Sequence, residues 1–79
     1  MSFAEEFKRI RKKSFLSQEA LAKELGVSFS SINRWECERT KPNMIAMKKL
    51  KDFCEVHNID FSVLEKEWLE LGERIEHDS

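Results

Sequence analysis

Two short segments with helical apolar spacing, only three residues apart, restrict the fold of this chain more than any other feature. Leu21 and Leu25 recur at a helical interval in the first segment, and Ile32 and Trp35 do so in the second. Gly26 favours the left-handed turn that ends a helix. Because a three-residue connection built on glycine makes two short helices cross steeply, the pattern predicts a crossed helix pair over about residues 17–37.

Cap residues divide the rest of the chain into three further helices, and no repeat or low-complexity stretch is present. Ser2 and Glu5 have capping-box spacing, and Ser62 and Glu65 repeat it near the start of the last helix. The predicted N-caps are Ser2, Ser17, Ser28, Asn43 and, for the last helix, Asp60 or Ser62. With only two glycines and one proline among 79 residues, the chain is predicted to form one all-α domain of five helices over residues 1–79.

The net charge of −1 conceals an uneven distribution. Residues 1–51 hold 12 basic and 6 acidic side chains, whereas residues 52–79 hold 2 basic and 9 acidic ones, giving balances of +6 and −7. Such a division indicates that one face meets a polyanion while the other stays away from it. Charge alone favours the simpler alternative, in which a basic and an acidic helix only keep the domain soluble.

Several other classes of protein are not expected. The longest uncharged run, residues 25–33, is far shorter than the roughly 20 residues that span a bilayer. The N-terminus lacks the apolar stretch of a signal peptide. Cys37 and Cys54 provide no disulfide framework, so the expected location is a reducing cytoplasm.

A metal site and an enzymatic function are also not expected. Cys54 and His57 would share one helix face, and Cys37 or His77 could add a third ligand, but structural zinc sites have paired ligands at both ends. We therefore expect a buried Cys54, a surface His57 and no cofactor. The chain shows neither a supported catalytic triad nor a glycine-rich phosphate loop, which argues against an enzyme.

Residues 16–43 have the sequence LSQEALAKELGVSFSSINRWECERTKPN. This stretch resembles the helix-turn-helix of the Cro/repressor (XRE-like) family of phage and bacterial DNA-binding proteins, and weaker similarity extends over residues 3–60. The positions that carry the resemblance are Gln18, Leu21, Ala22, Leu25, Gly26, Val27, Ile32, Trp35 and Glu36. The resemblance implies a compact, five-helix, lambda-repressor-like domain.

In that family the second motif helix lies in the major groove of DNA. The resemblance implies that Phe29, Ser30 and Arg34 contact bases, with Asn33 at the edge of the surface. Arg34 could bind guanine O6 and N7, and Phe29 could pack on a thymine methyl group. Phe29 could instead be a core residue, and Arg34 could be a solvated charge or an ion-pair partner of a nearby glutamate.

The resemblance also implies contacts that fix the position of the protein on DNA. The matching phosphate-binding positions are Gln18, Ser28, Arg39 and Lys41, each of which could instead be a simple cap or surface residue. Arg11 and Glu36 match a family ion pair between the first helix and the recognition helix. The implied role of this pair is architectural.

The chain departs from the family pattern immediately after the recognition helix. Most relatives have Asn-Gly where this chain has Cys37-Glu38. Glycine there adopts a left-handed turn, which glutamate adopts only at some energetic cost. Either the helix runs longer, or Arg39 and Lys41 compensate for the negative charge of Glu38.

An apolar stripe runs along one face of the last helix, which is predicted over about residues 61–76. Its members, at heptad-like intervals, are Phe61, Leu64, Trp68, Leu71 and Ile75. Relatives often dimerise through this region, so the stripe is predicted to form a homodimer interface. The alternative is that it packs entirely on the chain's own core.

These features predict a sequence-specific regulator of transcription that binds double-stranded DNA. The specific hypothesis is a repressor that binds a palindromic operator as a homodimer. One alternative is the antitoxin of a toxin–antitoxin pair, which would bind both DNA and a toxin, and a restriction–modification controller belongs to the same class. Another is a protein-interaction module that keeps the fold without contacting DNA.

Overall fold

The structure is a computed structural model that describes the backbone of residues 2–76 and the side chains of residues 2–71. Its five helices are α1 (Phe3–Lys13), α2 (Gln18–Leu25), α3 (Phe29–Glu36), α4 (Met44–Val56) and α5 (Ser62–Glu76). No strand occurs within residues 2–76. The predicted all-α, five-helix fold is therefore confirmed.

The first four helices begin at the N-caps that the sequence predicts. Ser2 and Glu5 form a complete capping box, in which each residue's backbone N–H donates to the other's side chain at 3.1 and 3.2 Å. Ser17, Ser28 and Asn43 each accept the backbone N–H three residues further along. These bonds satisfy N–H groups that the first turn of a helix otherwise leaves unpaired.

The last helix begins in a different way. The predicted capping box of Ser62 and Glu65 is wrong, because the Ser62 hydroxyl donates to Asp60 at 2.8 Å. The same carboxylate oxygen accepts the backbone N–H of Ser62 at 3.0 Å, and these two bonds lower the pKa of Asp60. An aspartate can close a turn two residues ahead in this way, so Asp60 initiates α5 and Ser62 is its first residue.

The turn between α2 and α3 has the predicted geometry. Gly26 adopts φ +71° and ends α2 in the left-handed conformation. The backbone N–H of Val27 then bonds to the carbonyl of Ala22 at 3.0 Å. This closure turns the chain within three residues, so that α3 crosses α2 and packs against both α1 and α2.

All five helices contribute to one apolar core. Helix α1 packs on α3 and α5, and α2 packs on α3 and α4. Phe7 and Trp35 meet edge to face with ring centroids 5.7 Å apart, joining α1 to α3. The buried side chains of this core include Phe3, Phe7, Ile10, Leu21, Ile32, Trp35, Leu50, Phe53 and Leu64. Glu6, the charged residue buried most deeply among the described side chains, is held by two bonds from Arg9 at 2.9 and 2.7 Å.

The stripe on α5 packs largely on the chain's own core. Leu64 and Leu71 are buried, and Phe61 and Trp68 are half-buried against the same core. The indole N–H of Trp68 donates to the carbonyl of Pro42 at 2.7 Å. The side chain of Ile75 lies outside the described residues. The stripe thus attaches α5 to the domain, and of its four described members only Phe61 and Trp68 remain partly accessible.

No helix within residues 2–76 is both long and apolar enough to cross a membrane.

Candidate nucleic-acid interface

Helix α3 separates its buried side chains from its outward ones. Ile32 and Trp35 are buried, whereas the side chains predicted to contact bases are exposed on the outer face: Phe29, Ser30, Asn33 and Arg34. Phe29 is 48% exposed, which excludes its alternative role as a core residue. The outer face therefore presents an aromatic ring, a hydroxyl, an amide and a guanidinium, groups that suit the edges of base pairs.

Arg11 and Glu36 form a two-bond ion pair between α1 and the end of α3. Arg11 Nε lies 2.6 Å from Glu36 Oε2, and Nη2 lies 3.1 Å from Oε1. Both side chains are largely buried. Arg11 Nη1 also donates to the carbonyl of Leu16 at 3.0 Å. The paired bonds give the contact a fixed geometry, so one guanidinium joins α1, the α1–α2 loop and α3.

Gln18 extends this network to the start of α2. Its Nε2 donates to Glu36 Oε1 at 3.0 Å, and its Oε1 accepts from Asn33 Nδ2 at 3.5 Å. An amide nitrogen carries two hydrogens, so the Gln18 side chain keeps one donor beyond its bond to Glu36. Gln18, at the N-terminus of α2, therefore also contacts the Asn33 side chain on α3.

The other predicted phosphate-binding residues have different surroundings. Ser28 caps α3, and its hydroxyl also lies 3.0 Å from that of Ser31. Arg39 is exposed in the α3–α4 loop. Lys41 places its ammonium 4.8 Å from the centroid of the Trp68 ring, within the range of a cation–π interaction. Gln18 and Ser28 lie where helix N–H groups and the helix dipole favour an anion.

The turn at Cys37-Glu38 tests one of the two alternatives for the end of α3, a longer helix. The helix ends at Glu36, and Glu38 adopts φ +56°. The backbone N–H of Arg39 reaches back to the carbonyl of Arg34 at 3.0 Å. The alternative of a longer helix is therefore wrong, because Glu38 takes the left-handed conformation that glycine adopts more easily.

Cys54 and His57 have separate environments. Cys54 is buried, and this burial raises the pKa of its thiol to about 11. The His57 ring packs 4.2 Å from that of Phe53, and its Nε2 lies 3.9 Å from Glu24. Among the residues whose side chains are described, no group of three or more His, Cys, Asp or Glu could hold a metal ion. His77, named as a third ligand, lies outside that range.

Two features of this surface are not predicted from the sequence. The bridge from Gln18 to Glu36 joins residues 18 positions apart and depends on how α2 and α3 cross. Phe15 adopts φ +58° in the α1–α2 loop and is 94% exposed. A sequence signal for the second feature exists, since α1 must end before the Ser17 cap although no glycine or asparagine follows Lys13.

The arrangement is that of a DNA-binding domain with an outward recognition helix. The helix-turn-helix family model matches residues 7–57, and the chain belongs to this XRE-type family of DNA-binding transcription regulators. The HTH-type transcriptional activator BcrR of Enterococcus faecalis is 36% identical over 73 residues, which are 92% of this chain and 35% of that protein. The chain thus spans about a third of the length of this relative. No solved structure matches the chain significantly.

Proposed function

We propose that the chain binds duplex DNA sequence-specifically by laying the outer face of α3 in the major groove. The observation that carries this proposal is the exposure of Phe29, Ser30 and Arg34 on a helix that the Arg11–Glu36 pair fixes in place. A rigid support matters because base recognition depends on the placement of individual hydrogen-bonding groups. Membership of a DNA-binding family supports the same conclusion and points away from an enzyme.

Each exposed group on α3 has a matching chemistry on DNA. Arg34 binds a guanine through O6 and N7, Phe29 packs on a thymine methyl group, and Ser30 bonds to either type of base. Asn33 lies at the edge of the surface, where Gln18 orients its amide. The proposed phosphate contacts are Gln18, Ser28, Arg39 and Lys41, and these position the protein without reading the sequence.

The protein is further proposed to act as a homodimer on a palindromic operator. Two-fold pairing would present two copies of α3 to successive major grooves about 34 Å apart. Beside the half-buried Phe61 and Trp68, the side chain of Met44 is exposed. A groove with a volume of ≈ 210 Å³ lies between α4 and α5 and is lined by Met44, Met47, Lys48, Lys51, Phe61, Glu65 and Trp68.

The charges around this groove suit a two-fold contact. Lys48 and Lys51 lie on α4, and Glu65 lies on α5 at the same groove. In an interface that repeats the same surface on both subunits, the lysines of one copy can face the glutamate of the other. The outer parts of Phe61 and Trp68, which the core leaves uncovered, would then be buried.

Repression is the proposed effect on transcription, since a dimer bound across a promoter would exclude other proteins from it. Activation is the second candidate, because the relative from Enterococcus faecalis is named a transcriptional activator. A reporter gene with the selected binding site placed across or upstream of its promoter separates the two. Lower expression in the presence of the protein supports repression, and higher expression supports activation.

The base-contact proposal is tested with duplexes selected from a random-sequence library. Arg34→Ala should weaken binding to the preferred site by about 1–3 kcal/mol and relax the preference at one base pair. Arg39→Ala is the matched control, because loss of a phosphate contact should weaken binding to all sequences about equally. Equal weakening of all sequences by Arg34→Ala would contradict its proposed role.

The dimer proposal is tested by sedimentation. Met44→Glu places a charge in the groove itself and should yield a monomer, since Met44 lines the groove and is 78% exposed, so that it contributes little to the core. Val56→Glu, at the exposed end of α4, is the control and should leave the dimer intact. Trp68→Glu is less suitable because the indole bonds to Pro42 within the fold. A dimer that survives Met44→Glu would contradict the proposed interface.

A further inference from the structure

Phe15 combines two unfavourable properties in the loop between α1 and α2. Its ring is 94% exposed, and its backbone has φ +58°, a conformation that bulky side chains rarely adopt. Asn58, which has a similar φ of +57°, is a residue type that tolerates it well. Exposure and backbone strain at one aromatic residue indicate a role outside the folding of the domain.

The loop holds the backbone of Phe15 in a fixed position. The backbone N–H of Phe15 bonds to the carbonyl of Lys12 at 3.0 Å, and that of Leu16 bonds to the carbonyl of Arg11 at 3.3 Å. The Leu16 side chain packs on the core, and its carbonyl accepts from the Arg11 guanidinium at 3.0 Å. These contacts on both sides of Phe15 restrict its backbone, while its ring remains exposed to solvent.

The same contacts place Phe15 beside the proposed DNA surface. Arg11, which holds the carbonyl of Leu16, also holds Glu36 at the end of α3. Gln18, the first residue of α2, follows Phe15 by three positions. Lys12 and Lys13, both exposed, immediately precede this loop and give it positive charge. An exposed aromatic ring close in sequence to two lysines, before a helix whose N-terminus is proposed to bind a phosphate, suits a polyanion with apolar faces.

We propose that Phe15 packs on the deoxyribose of the DNA backbone beside the phosphate at the start of α2, an inference that rests on the proposed function. A deoxyribose presents apolar C–H groups between two phosphates, so the ring loses its contact with water while the neighbouring lysines remain close to negative charge. Sugar contacts carry no sequence information. Phe15 therefore strengthens binding to all sequences and fixes the position of α2 on the duplex.

Phe15→Asn tests this proposal because it should change stability and binding in opposite directions. Asparagine tolerates the left-handed conformation, so the thermal midpoint should rise by about 5 °C. Affinity for a random-sequence duplex of about 20 base pairs, long enough for two half-sites, should fall roughly fivefold to tenfold. The slope of log affinity against log salt should stay the same, because the ring carries no charge.

Three further variants serve as comparisons for the DNA affinity of Phe15→Asn. Val56→Ala removes another exposed apolar side chain, 80% accessible at the end of α4, and should leave binding unchanged. Phe15→Trp keeps an aromatic ring and should keep the affinity of the parent. The double variant Lys12→Gln, Lys13→Gln should lower the salt slope by up to about two units, since each phosphate contact contributes about one.

The outcomes separate this inference from the function on which it rests. If the parent shows salt-dependent DNA binding and Phe15→Asn binds as tightly, the contact is wrong and the proposed function stands. If the parent does not bind duplex DNA, the proposed function fails and the inference fails with it. If Phe15→Asn alters the sedimentation of the DNA-free protein, the ring serves self-association and the proposed sugar contact is overturned.

Discussion

Arg11 and Glu36 join the first helix to the end of the recognition helix through bonds of 2.6 and 3.1 Å. The pair is largely buried, and Gln18 adds a third bond to the same carboxylate at 3.0 Å. Because the guanidinium also holds the carbonyl of Leu16, three consecutive helices and one loop share a single polar centre. This carboxylate therefore fixes the orientation of α3 together with the core packing of Ile32 and Trp35.

Removing that carboxylate should strongly destabilise the fold. Glu36→Ala leaves the Arg11 guanidinium buried without its charge partner, so the free energy of unfolding should fall by about 3–5 kcal/mol. Urea denaturation measures this change. Glu55→Ala, an exposed glutamate on α4, is the control and should change stability by less than about 0.5 kcal/mol. Equal effects of the two variants would contradict the structural role of the pair.

Replacing Glu38 should relieve strain at the end of α3. Glu38→Gly supplies the residue that tolerates φ +56° and should raise the free energy of unfolding by about 1 kcal/mol. Glu38→Gln is the matched control, since it removes the charge and keeps the strained backbone. Both variants should bind DNA more tightly than the parent, whereas only the glycine variant should be more stable. Equal stability of the two variants would show that the positive φ of residue 38 does not strain the fold.

Local signals account for the success of the sequence predictions. Caps and breaks act over three or four residues, so Ser2, Ser17 and Gly26 could be placed without knowledge of the tertiary structure. Periodicity likewise separates Ile32 from Arg34, because only one face of α3 is apolar.

The remaining features depend on contacts between distant segments. The apolar stripe of α5 could not show whether Leu64 and Leu71 face the chain's own core, since core and dimer interface require the same residue types. The bond from Gln18 to Glu36 and the bond from Trp68 to Pro42 join residues far apart in sequence. Asp60 displaced Ser62 at the start of α5 because a turn closed by aspartate competes with a helix cap.

The bond between Trp68 and Pro42 should contribute measurably to the docking of α5. Trp68→Phe keeps an aromatic ring and removes the N–H that donates to the carbonyl at 2.7 Å. We expect the free energy of unfolding to fall by about 1 kcal/mol, measured by urea denaturation. Unchanged stability would contradict this contribution, because it would mean that water bonds to the Pro42 carbonyl as well as the indole N–H does.

The two thiols should differ in reactivity. In the native protein at pH 8, Cys37 is exposed and should react with an aromatic disulfide reagent, whereas Cys54 is buried and should not. Denaturation should release the second equivalent. Rapid reaction of both thiols in the native state would contradict the burial of Cys54.

The pKa of Cys54 also predicts a loss of stability at alkaline pH. Because folding raises this pKa from 9.0 to about 11, the folded state retains a proton that the unfolded state releases. The contribution to stability is complete below pH 9 and declines as the pH rises toward 11. Cys54→Ala should lack this component of the pH dependence, as measured by thermal unfolding across that interval.

Binding of duplex DNA as a function of salt tests the central claim most directly. The positive charge of residues 1–51 and the helix N-termini at Gln18 and Ser28 predict several phosphate contacts. A plot of log affinity against log salt should therefore fall with a slope of several units, because each contact releases counterions. A flat response, or no detectable binding at low salt, would contradict the account.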